Sequence, residues 1–165
     1  MDELKLFTDG SVNTRSKVGY GAYLAVSDPG QSLAFLRTCV VVKRFENTSS
    51  TKLELETLLW AMNDIRETEK KVVVYTDSQN IMGLRGRRDR LEQTDYRSKN
   101  NEYIANHLIY QAFYGMIDRL ACDLVKVCGH QASDKKNKLE MCFTLVDRAS
   151  RKALRRFAAC SPPSY

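Results

Sequence analysis

The chain has 165 residues, 43% hydrophobic and 28% charged, a size and composition typical of one globular domain. No apolar stretch approaches the roughly 20 residues that a membrane span needs. The N-terminus Met1-Asp2-Glu3 lacks the basic start and apolar run of a signal peptide. We therefore expect no association with a membrane. The formal net charge of +6 favours polyanionic partners.

The five cysteines form no recognisable disulfide framework, and the absence of a C-x-x-C pair argues against a zinc site. Free thiols are typical of a reducing compartment, so we expect a cytoplasmic protein. The sequence contains no repeat or linker. We therefore expect a single domain over residues 1–157, a flexible tail over residues 158–165, a monomeric state and no obligate protein partner.

Three strands are predicted at the start of the chain. The first covers residues 4–8 and ends at Asp9, and the second covers residues 19–27 before a turn at Asp28-Pro29-Gly30. The third is predicted over residues 36–45, because this segment contains three consecutive valines. Three such strands could form an antiparallel meander.

Helices and strands alternate in the rest of the chain. Ser49-Ser50-Thr51 is typical of a helix cap, and a stripe of apolar residues from Leu55 to Ile65 predicts the helix behind it. Residues 72–76 are continuously apolar, as expected for a strand buried on both faces, and a short helix from Asp77-Ser78 to Leu84 follows. The remaining predicted segments are a basic stretch over 85–99, a helix over 101–120, a strand over 124–127, a polar loop over 131–138 and a helix over 143–157.

The predicted order is β-β-β-α-β-α-α-β-α. Three strands connected in sequence, followed by alternating α/β units, predict a mixed five-stranded sheet. In that sheet an antiparallel three-stranded meander is joined by two parallel strands, and helices flank its faces.

Two aspartates each follow an apolar strand: Asp9 follows the first and Asp77 the fourth. If these strands are parallel neighbours, their ends lie about 4.8 Å apart, where ligands of α/β sheets gather. Carboxylates so close repel each other unless a cation joins them or one is protonated. The alternative is local, because an aspartate after a strand often caps a helix or forms an Asx-turn.

Glu54 lies near the start of the predicted helix and shares its stripe with Leu58, Ala61 and Ile65. That stripe should pack on the sheet, so the Glu54 carboxylate is expected to point at the sheet rather than at water. The alternative is a capping box, in which Glu54 bonds back to the amide of Thr51.

Asp147 lies one turn into the last predicted helix, where it either joins the other carboxylates or forms a surface ion pair with Arg151. Four carboxylates in one place would suit magnesium, which takes few protein oxygens and keeps positions for substrate phosphates. Two ions roughly 4 Å apart would bind the attacking water and the leaving oxygen of a phosphodiester.

Five short segments occur in a recognisable order along the chain: Phe7-Thr8-Asp9-Gly10-Ser11, Lys52-Leu53-Glu54-Leu55, Tyr75-Thr76-Asp77-Ser78-Gln79, Val127-Cys128-Gly129-His130 and Leu145-Val146-Asp147-Arg148-Ala149. With them the chain resembles a type 1 ribonuclease H over nearly its whole length. The resemblance implies an RNase H-like fold and an endoribonuclease that hydrolyses the RNA strand of RNA/DNA hybrids. It also implies a two-metal-ion mechanism with a metal-activated water, in which two Mg²⁺ ions act with substrate and Mn²⁺ can substitute.

The same resemblance implies roles for individual residues. Asp9, Glu54, Asp77 and Asp147 are implied to be the catalytic, metal-binding carboxylates, and His130 is implied to assist proton transfer or product departure. Contacts with the RNA strand, whose 2′-hydroxyls distinguish it from DNA, are implied for Gly10, Ser11, Asn13 and Gln79.

Two regions depart from the family pattern. Ser50 and Thr51 stand where family members often carry asparagines that contact the hybrid, and we expect their hydroxyls to make such contacts. Residues 85–90 stand where some members have a longer, tryptophan-containing basic protrusion. There we expect Arg87 and Arg88 to contact DNA phosphates, with a solvated helix end as the alternative.

Two other functions remain open. The chain could be a nuclease of the same fold that acts on another nucleic acid, such as branched DNA. It could also be a module that binds hybrids without cutting them, which would be expected if one of the four carboxylates were missing.

Overall fold

The structure is a computed structural model that describes residues 2–65, 68–128 and 137–160. Over these residues the elements are β1 (Glu3–Asn13), β2 (Val18–Val26), α1 (Leu33–Cys39), β3 (Val41–Phe45), α2 (Ser50–Asp64), β4 (Lys71–Thr76), α3 (Gln79–Gln93), α4 (His107–Arg119), β5 (Cys122–Lys126) and α5 (Lys138–Cys160).

The five strands form one mixed sheet in the order β3-β2-β1-β4-β5. The β3-β2-β1 part is antiparallel, and β4 and β5 continue the sheet parallel to β1. This arrangement confirms the predicted α/β fold with its antiparallel three-stranded part and its two added parallel strands. It also brings the carboxyl ends of β1, β4 and β5 to the same side of the molecule.

The central strands β1, β2 and β4 carry buried side chains on both faces, whereas β3 at the edge of the sheet is exposed. Leu6 and Val74 belong to the core that α2, α3 and α4 cover, whereas Phe7 and Tyr75 belong to the core on the face of α1 and α5. The Phe7 and Tyr75 rings stack with centroids 4.8 Å apart. Each such side chain contributes about 1.5–3 kcal/mol when fully buried. The two cores hold β1 and β4 rigidly side by side.

The predicted third strand was wrong in its first half, where the structure has the additional helix α1. Ser32 caps this helix, since its hydroxyl accepts a hydrogen bond from the amide of Phe35 at 3.2 Å. Leu36 is buried against the sheet, and the extended backbone begins only at Val40. The observed order is therefore β-β-α-β-α-β-α-α-β-α.

The two middle helices also differ from the prediction. Helix α3 continues to Gln93 instead of ending at Leu84, because Leu84 and Leu91 both pack into the core. Helix α4 begins at His107 rather than at residue 101. The segment before it contains left-handed backbone conformations at Asn101 and Asn106, which interrupt a helix.

Helix α5 begins five residues earlier than predicted and ends later. Its start is a capping box: the Asn137 side chain accepts from the amide of Glu140, and Glu140 accepts from the amide of Asn137, both at 2.9 Å. The helix continues to Cys160 through Ala158 and Ala159, which favour helix, so residues 158–160 of the predicted tail are helical. Residues 161–165 lie outside the described residues.

All five cysteines lie in the described ranges and none forms a disulfide. Cys122 and Cys142 are buried, and burial raises the pKa of the Cys142 thiol to about 11. Among the described helices, none has the length and apolar character to cross a bilayer.

Candidate active site

The sheet register brings Asp9 and Asp77 together. Strands β1 and β4 pair in parallel up to Phe7 and Tyr75, and the same offset continued for two residues sets Asp9 beside Asp77. Neighbouring strands are about 4.8 Å apart. Asp9 is partly buried and its carboxylate accepts a hydrogen bond from the amide of Gly10, whereas Asp77 is exposed at the end of β4.

Helix α2 directs Glu54 at the same edge of the sheet. Leu58 and Ala61, on the same stripe, are fully buried, as the predicted orientation requires. The Glu54 carboxylate accepts a short hydrogen bond from the hydroxyl of Ser78, the residue after Asp77.

The capping-box alternative for Glu54 was wrong. The N-cap of α2 is Ser49, whose hydroxyl accepts from the amide of Lys52 at 3.3 Å. Thr51 is already inside the helix, so Glu54 lies too far along α2 to bond back to the cap.

Asp147 fulfils both interpretations that its sequence position allowed. Its Oδ1 lies 2.7 Å from Nε of Arg151, the ion pair expected at this spacing. It also interacts with Asp9, whose pKa it raises through both charge and a hydrogen bond. Helix α5 therefore completes a set of carboxylates that come from four separate parts of the chain: β1, α2, the β4–α3 connection and α5.

The electrostatics of the cluster are those of crowded, partly desolvated acids. Burial and the neighbouring charge of Asp77 raise the pKa of Asp9 to about 8. The hydrogen bond from the amide of Gly10 acts in the opposite direction and lowers this pKa. Burial also raises the pKa of Glu54, opposed by the hydrogen bond from Ser78, and the charge of Asp77 adds to the rise. Such a site favours a bound cation or a bound proton.

The carboxylates interact in pairs: Asp9 with Asp77, Asp9 with Asp147, and Glu54 with Asp77. Within residues 2–65, 68–128 and 137–160, no three His, Cys, Asp or Glu side chains form a ready-made metal-binding group. The donors nevertheless have the chemistry that a hard divalent cation prefers, and their mutual repulsion is what such an ion relieves. Two of the carboxylates also have partners outside the cluster, since Ser78 donates to Glu54 and Arg151 pairs with Asp147.

Three glycines let α2 pack closely enough on the sheet to place Glu54 beside Ser78 and Asp77. Gly10 lies opposite Gly21 in the β1–β2 pairing, and Gly19 lies two positions away on the same strand. A Cβ atom at Gly10 or Gly19 would lie 2.9 or 2.7 Å from the side chain of Leu53, and one at Gly21 would overlap Thr57. Gly10, predicted to contact RNA, thus also has a packing role.

Ser11 and Asn13 make hydrogen bonds within the protein. The Ser150 hydroxyl donates to the carbonyl of Asp147 at 3.0 Å, so the Ser11 hydroxyl donates to Ser150, also at 3.0 Å. The Asn13 side chain accepts from the amides of Arg15 and Ser16 and so closes the β1–β2 turn. These bonds fix the end of β1 beside α5.

Ser50, Thr51 and Gln79 flank the carboxylates in sequence. Ser50 and Thr51 form the first turn of α2, and Gln79 is the first residue of α3. Ser50 and Gln79 are exposed and Thr51 is half-buried. All three are accessible to a ligand, and their substrate contacts remain predictions.

Arg87 and Arg88 are engaged inside the protein. Arg87 donates to the backbone and side-chain oxygens of Asn80 at 2.9 and 2.7 Å. Arg88 makes a two-pronged contact with Asp118 at 2.6 and 2.8 Å and also pairs with Glu92. Their phosphate contacts remain predictions, and Arg88 would have to share its charge with two carboxylates.

His130 and most of the predicted loop at 131–138 lie outside the described residues. Lys138 is the first residue of α5. Its position in the helix shows that the loop is shorter at that end than predicted.

Sequence reasoning missed two serines that organise the site. Ser78 both caps α3, by accepting from the amide of Ile81 at 3.2 Å, and donates to Glu54. Ser150 connects β1 to the backbone of Asp147. Ser78 directly precedes a helix, which indicated a cap, but no sequence pattern pairs it with a glutamate 24 residues away.

We expect Ser78→Ala to destabilise the protein by about 1–2 kcal/mol at neutral pH, the usual effect of losing a helix cap. The loss should be smaller at about pH 4, because the hydrogen bond from Ser78 favours the charged form of Glu54. Urea unfolding at both pH values measures this difference. Ser32→Ala, which removes the cap of α1 far from any carboxylate of the site, is the matched control and should give a pH-independent loss. Equal losses for the two variants at both pH values would contradict the role of Ser78.

Comparison with known proteins agrees with this geometry. Two solved structures share the fold: a foamy viral protease-reverse transcriptase in complex with dsDNA and the native prototype foamy virus protease-reverse transcriptase. The first has 9% identity and a TM-score of 0.62, and the match covers 90% of this chain and 94% of that one. The second has 14% identity and a TM-score of 0.69, and the match covers 90% of this chain but only 20% of that one. A family model for RNase H matches residues 1–153. The chain therefore belongs to the RNase H family, whose members are nucleases that act on RNA/DNA hybrids.

Proposed function

We propose that this protein is an endonuclease that hydrolyses the RNA strand of RNA/DNA hybrids and leaves 5′-phosphate and 3′-hydroxyl ends. One observation carries the proposal: Asp9 of β1, Glu54 of α2, Asp77 after β4 and Asp147 of α5 interact electrostatically just beyond the last paired residues of β1 and β4. Family membership supports the same activity.

The four carboxylates would hold two Mg²⁺ ions, with Mn²⁺ as the alternative metal. Bound there, the ions would supply an activated water and stabilise the charge of the leaving oxygen. The raised pKa of Asp9 supports this assignment, since a carboxylate crowded by like charges gains most from a divalent cation. Because ligands must be deprotonated, metal binding should release protons from this cluster.

Other residues of the chain would position the catalytic carboxylates. Ser78 holds Glu54 in one direction, and the Ser11–Ser150 contact keeps Asp147 beside the end of β1. His130 would assist proton transfer or product departure, as the family resemblance implies.

Different residues would contact the RNA strand and the DNA strand of the hybrid. Gly10, Ser11, Asn13 and Gln79 would contact the RNA, where 2′-hydroxyls offer groups that DNA lacks. Ser50 and Thr51 would add contacts from the first turn of α2.

Arg87 and Arg88 would contact phosphates of the DNA strand, which position a substrate without reading its sequence. Arg87 is the better candidate of the two, because its hydrogen-bond partners are uncharged oxygens of Asn80 and Gly83, whereas Arg88 is paired with two carboxylates. We further propose that the protein acts as a monomer in the cytoplasm, without an obligate protein partner.

Cleavage of matched hybrid, RNA duplex, DNA duplex and branched DNA substrates, with magnesium or with a chelator, tests the proposal. We expect cleavage of the RNA strand of the hybrid alone, abolished by the chelator and strongly reduced in Asp77→Asn. Faster cutting of branched or duplex DNA would indicate a different nuclease of this fold. Hybrid binding without cleavage, and without magnesium binding in calorimetry, would indicate a binding module.

A further inference from the structure

The C-terminal half of α5 presents a basic surface that the proposed function does not use. We call it the α5 stripe, and its members are Arg148, Arg151, Lys152, Arg155 and Arg156. All five are exposed, and the chain contains no acidic residue after Asp147. At about 100° and 1.5 Å per residue, the five side chains occupy one continuous arc of about 140° over roughly 12 Å of helix.

The charges of the α5 stripe are mostly unneutralised. Arg151 pairs with Asp147, but in the described part of the chain the other four members form no ion pair. The basic stretch over 85–99 is different, because its six basic residues are interspersed with three acidic ones, and because Arg88 pairs with two carboxylates and Arg97 with Asp95. The α5 stripe is therefore the more available of the two basic surfaces for an external anion.

The α5 stripe is continuous with the candidate active site. Arg151 binds Asp147, so one end of the stripe adjoins the carboxylates. Farther along, a cleft of about 500 Å³ separates α5 from the β1–β2 turn, and Asn13, Arg15 and Arg155 line it. A ligand that follows the α5 stripe away from the carboxylates therefore passes Asn13, which is predicted to contact RNA, and reaches the additional arginine Arg15.

The chemistry of the stripe fits a row of phosphates. Arginine and lysine offer only donors, and arginine matches phosphate oxygens in a two-pronged geometry. A lipid surface fits less well, because an interfacial helix buries its apolar face in the membrane, whereas Phe143 and Val146 of α5 are buried in the protein core.

We propose that the α5 stripe binds backbone phosphates of the hybrid outside the base pairs held at the carboxylates, so that long substrates bind more tightly than short ones. This inference rests on the proposed function, because it takes the hybrid as the occupant of the site. Its contacts would be independent of sequence, since they reach only the phosphate backbone.

The test compares two variants that each remove three positive charges. The stripe variant is Lys152→Gln/Arg155→Gln/Arg156→Gln, and the control is Arg37→Gln/Lys70→Gln/Arg119→Gln, three exposed residues outside α5. Binding is measured by fluorescence anisotropy over a series of salt concentrations in an Asp77→Asn background. The hybrids have about 8 and about 24 base pairs, roughly 27 and 80 Å at 3.4 Å per step.

For the long hybrid, the stripe variant should bind roughly tenfold more weakly at moderate salt, and the slope of log K against log salt should fall by about 2–3. The loss should be clearly smaller for the short hybrid, and the control variant should bind like the parent. Equal behaviour of the stripe and control variants on the long hybrid would overturn the inference. So would loss of binding to anionic lipid vesicles with unchanged binding to the hybrid.

Two further measurements keep the result interpretable. The single variant Arg155→Gln, at an exposed position that should not affect folding, should lower the salt slope by about 1. The charge-conserving variant Lys152→Arg/Arg155→Lys/Arg156→Lys should keep the parent slope. If the wild type cleaves no hybrid at all, the proposed function fails, whereas cleavage of both hybrids with an unaffected stripe variant removes only the present inference.

Discussion

Replacing Asp9 with asparagine should lower RNA cleavage by roughly 10³-fold or more, since a carboxylate that helps a metal stabilise charge in the transition state is worth several kcal/mol. The same variant should make the metal-free protein more stable at alkaline pH, by on the order of 2–4 kcal/mol. Activity and stability are expected to change in opposite directions because folding places Asp9 in a crowded and partly desolvated position.

The pH dependence follows from the raised pKa. Burial and the charge of Asp77 raise the pKa of Asp9 from 3.8 to about 8, so folding favours the protonated acid. The stability that this group contributes is complete below its unfolded pKa and is lost as the pH rises through the folded pKa. Wild type and Asp9→Asn should therefore have similar stability at about pH 4 and diverge most at about pH 9.

Chemical denaturation in a chelator at several pH values measures this divergence, and a cleavage assay with magnesium measures the other half of the prediction. Asp89→Asn is the matched control, because Asp89 is exposed on α3 and should affect neither quantity. An Asp9→Asn variant that cleaved normally, or that matched the wild type in stability at alkaline pH, would show that Asp9 is not part of a repelling carboxylate cluster.

The meeting of Asp9 and Asp77 was predictable because it depends on local patterns. Asp77 follows the apolar strand β4, and Asp9 lies in β1 just beyond the apolar residues predicted as that strand, which continues to Asn13. Parallel pairing of β1 and β4 brings these equivalent positions together. The inward direction of Glu54 followed from the helical period, which puts it above Leu58 and Ala61. These features follow from periodicity and strand order alone.

Other features depend on contacts that no local pattern contains. Helix α1 occupies a segment that resembled a strand, because a single buried leucine and the cap at Ser32 outweighed the adjacent valines. The partners of Arg88 are Glu92 and Asp118, and the second of these is 30 residues away. A run of basic residues in the sequence therefore did not indicate how much charge is available at the surface.

The close approach of α2 to the sheet is another long-range feature, and it leads to a second strong prediction. Gly21→Ala should destabilise the protein by about 3 kcal/mol, at the upper end of the usual range for overpacking. Both γ atoms of Thr57 obstruct the new methyl group: it would overlap Oγ1 and lie 2.9 Å from Cγ2, so rotation of the threonine cannot remove the clash. Urea unfolding measures the loss.

Gly86→Ala is the matched control, since a Cβ there has no neighbour within 4 Å and Gly86 lies inside helix α3. This variant should gain about 0.5–1 kcal/mol from helix propensity. Adding Thr57→Ala to Gly21→Ala should recover about 1–2 kcal/mol, because it removes both γ atoms. The buried Thr57 hydroxyl has no hydrogen-bond partner in the described part of the chain, so its removal breaks no hydrogen bond there. Equal stability of Gly21→Ala and Gly86→Ala would show that α2 can move away from the sheet without loss.

Cleavage by Gly21→Ala links this packing to function. Thr57 lies one turn after Glu54 on α2, so a helix displaced by the new methyl group carries the Glu54 carboxylate away from Ser78 and Asp77. A misplacement of about 1 Å in a catalytic group lowers the rate by roughly 100-fold, and we expect a loss of this order while the variant remains folded. Recovery of both cleavage and stability in the double variant would indicate that the glycines of β1 and β2 determine how closely the Glu54 carboxylate approaches Ser78 and Asp77. Recovery of stability alone would mean that other contacts determine the position of the Glu54 carboxylate.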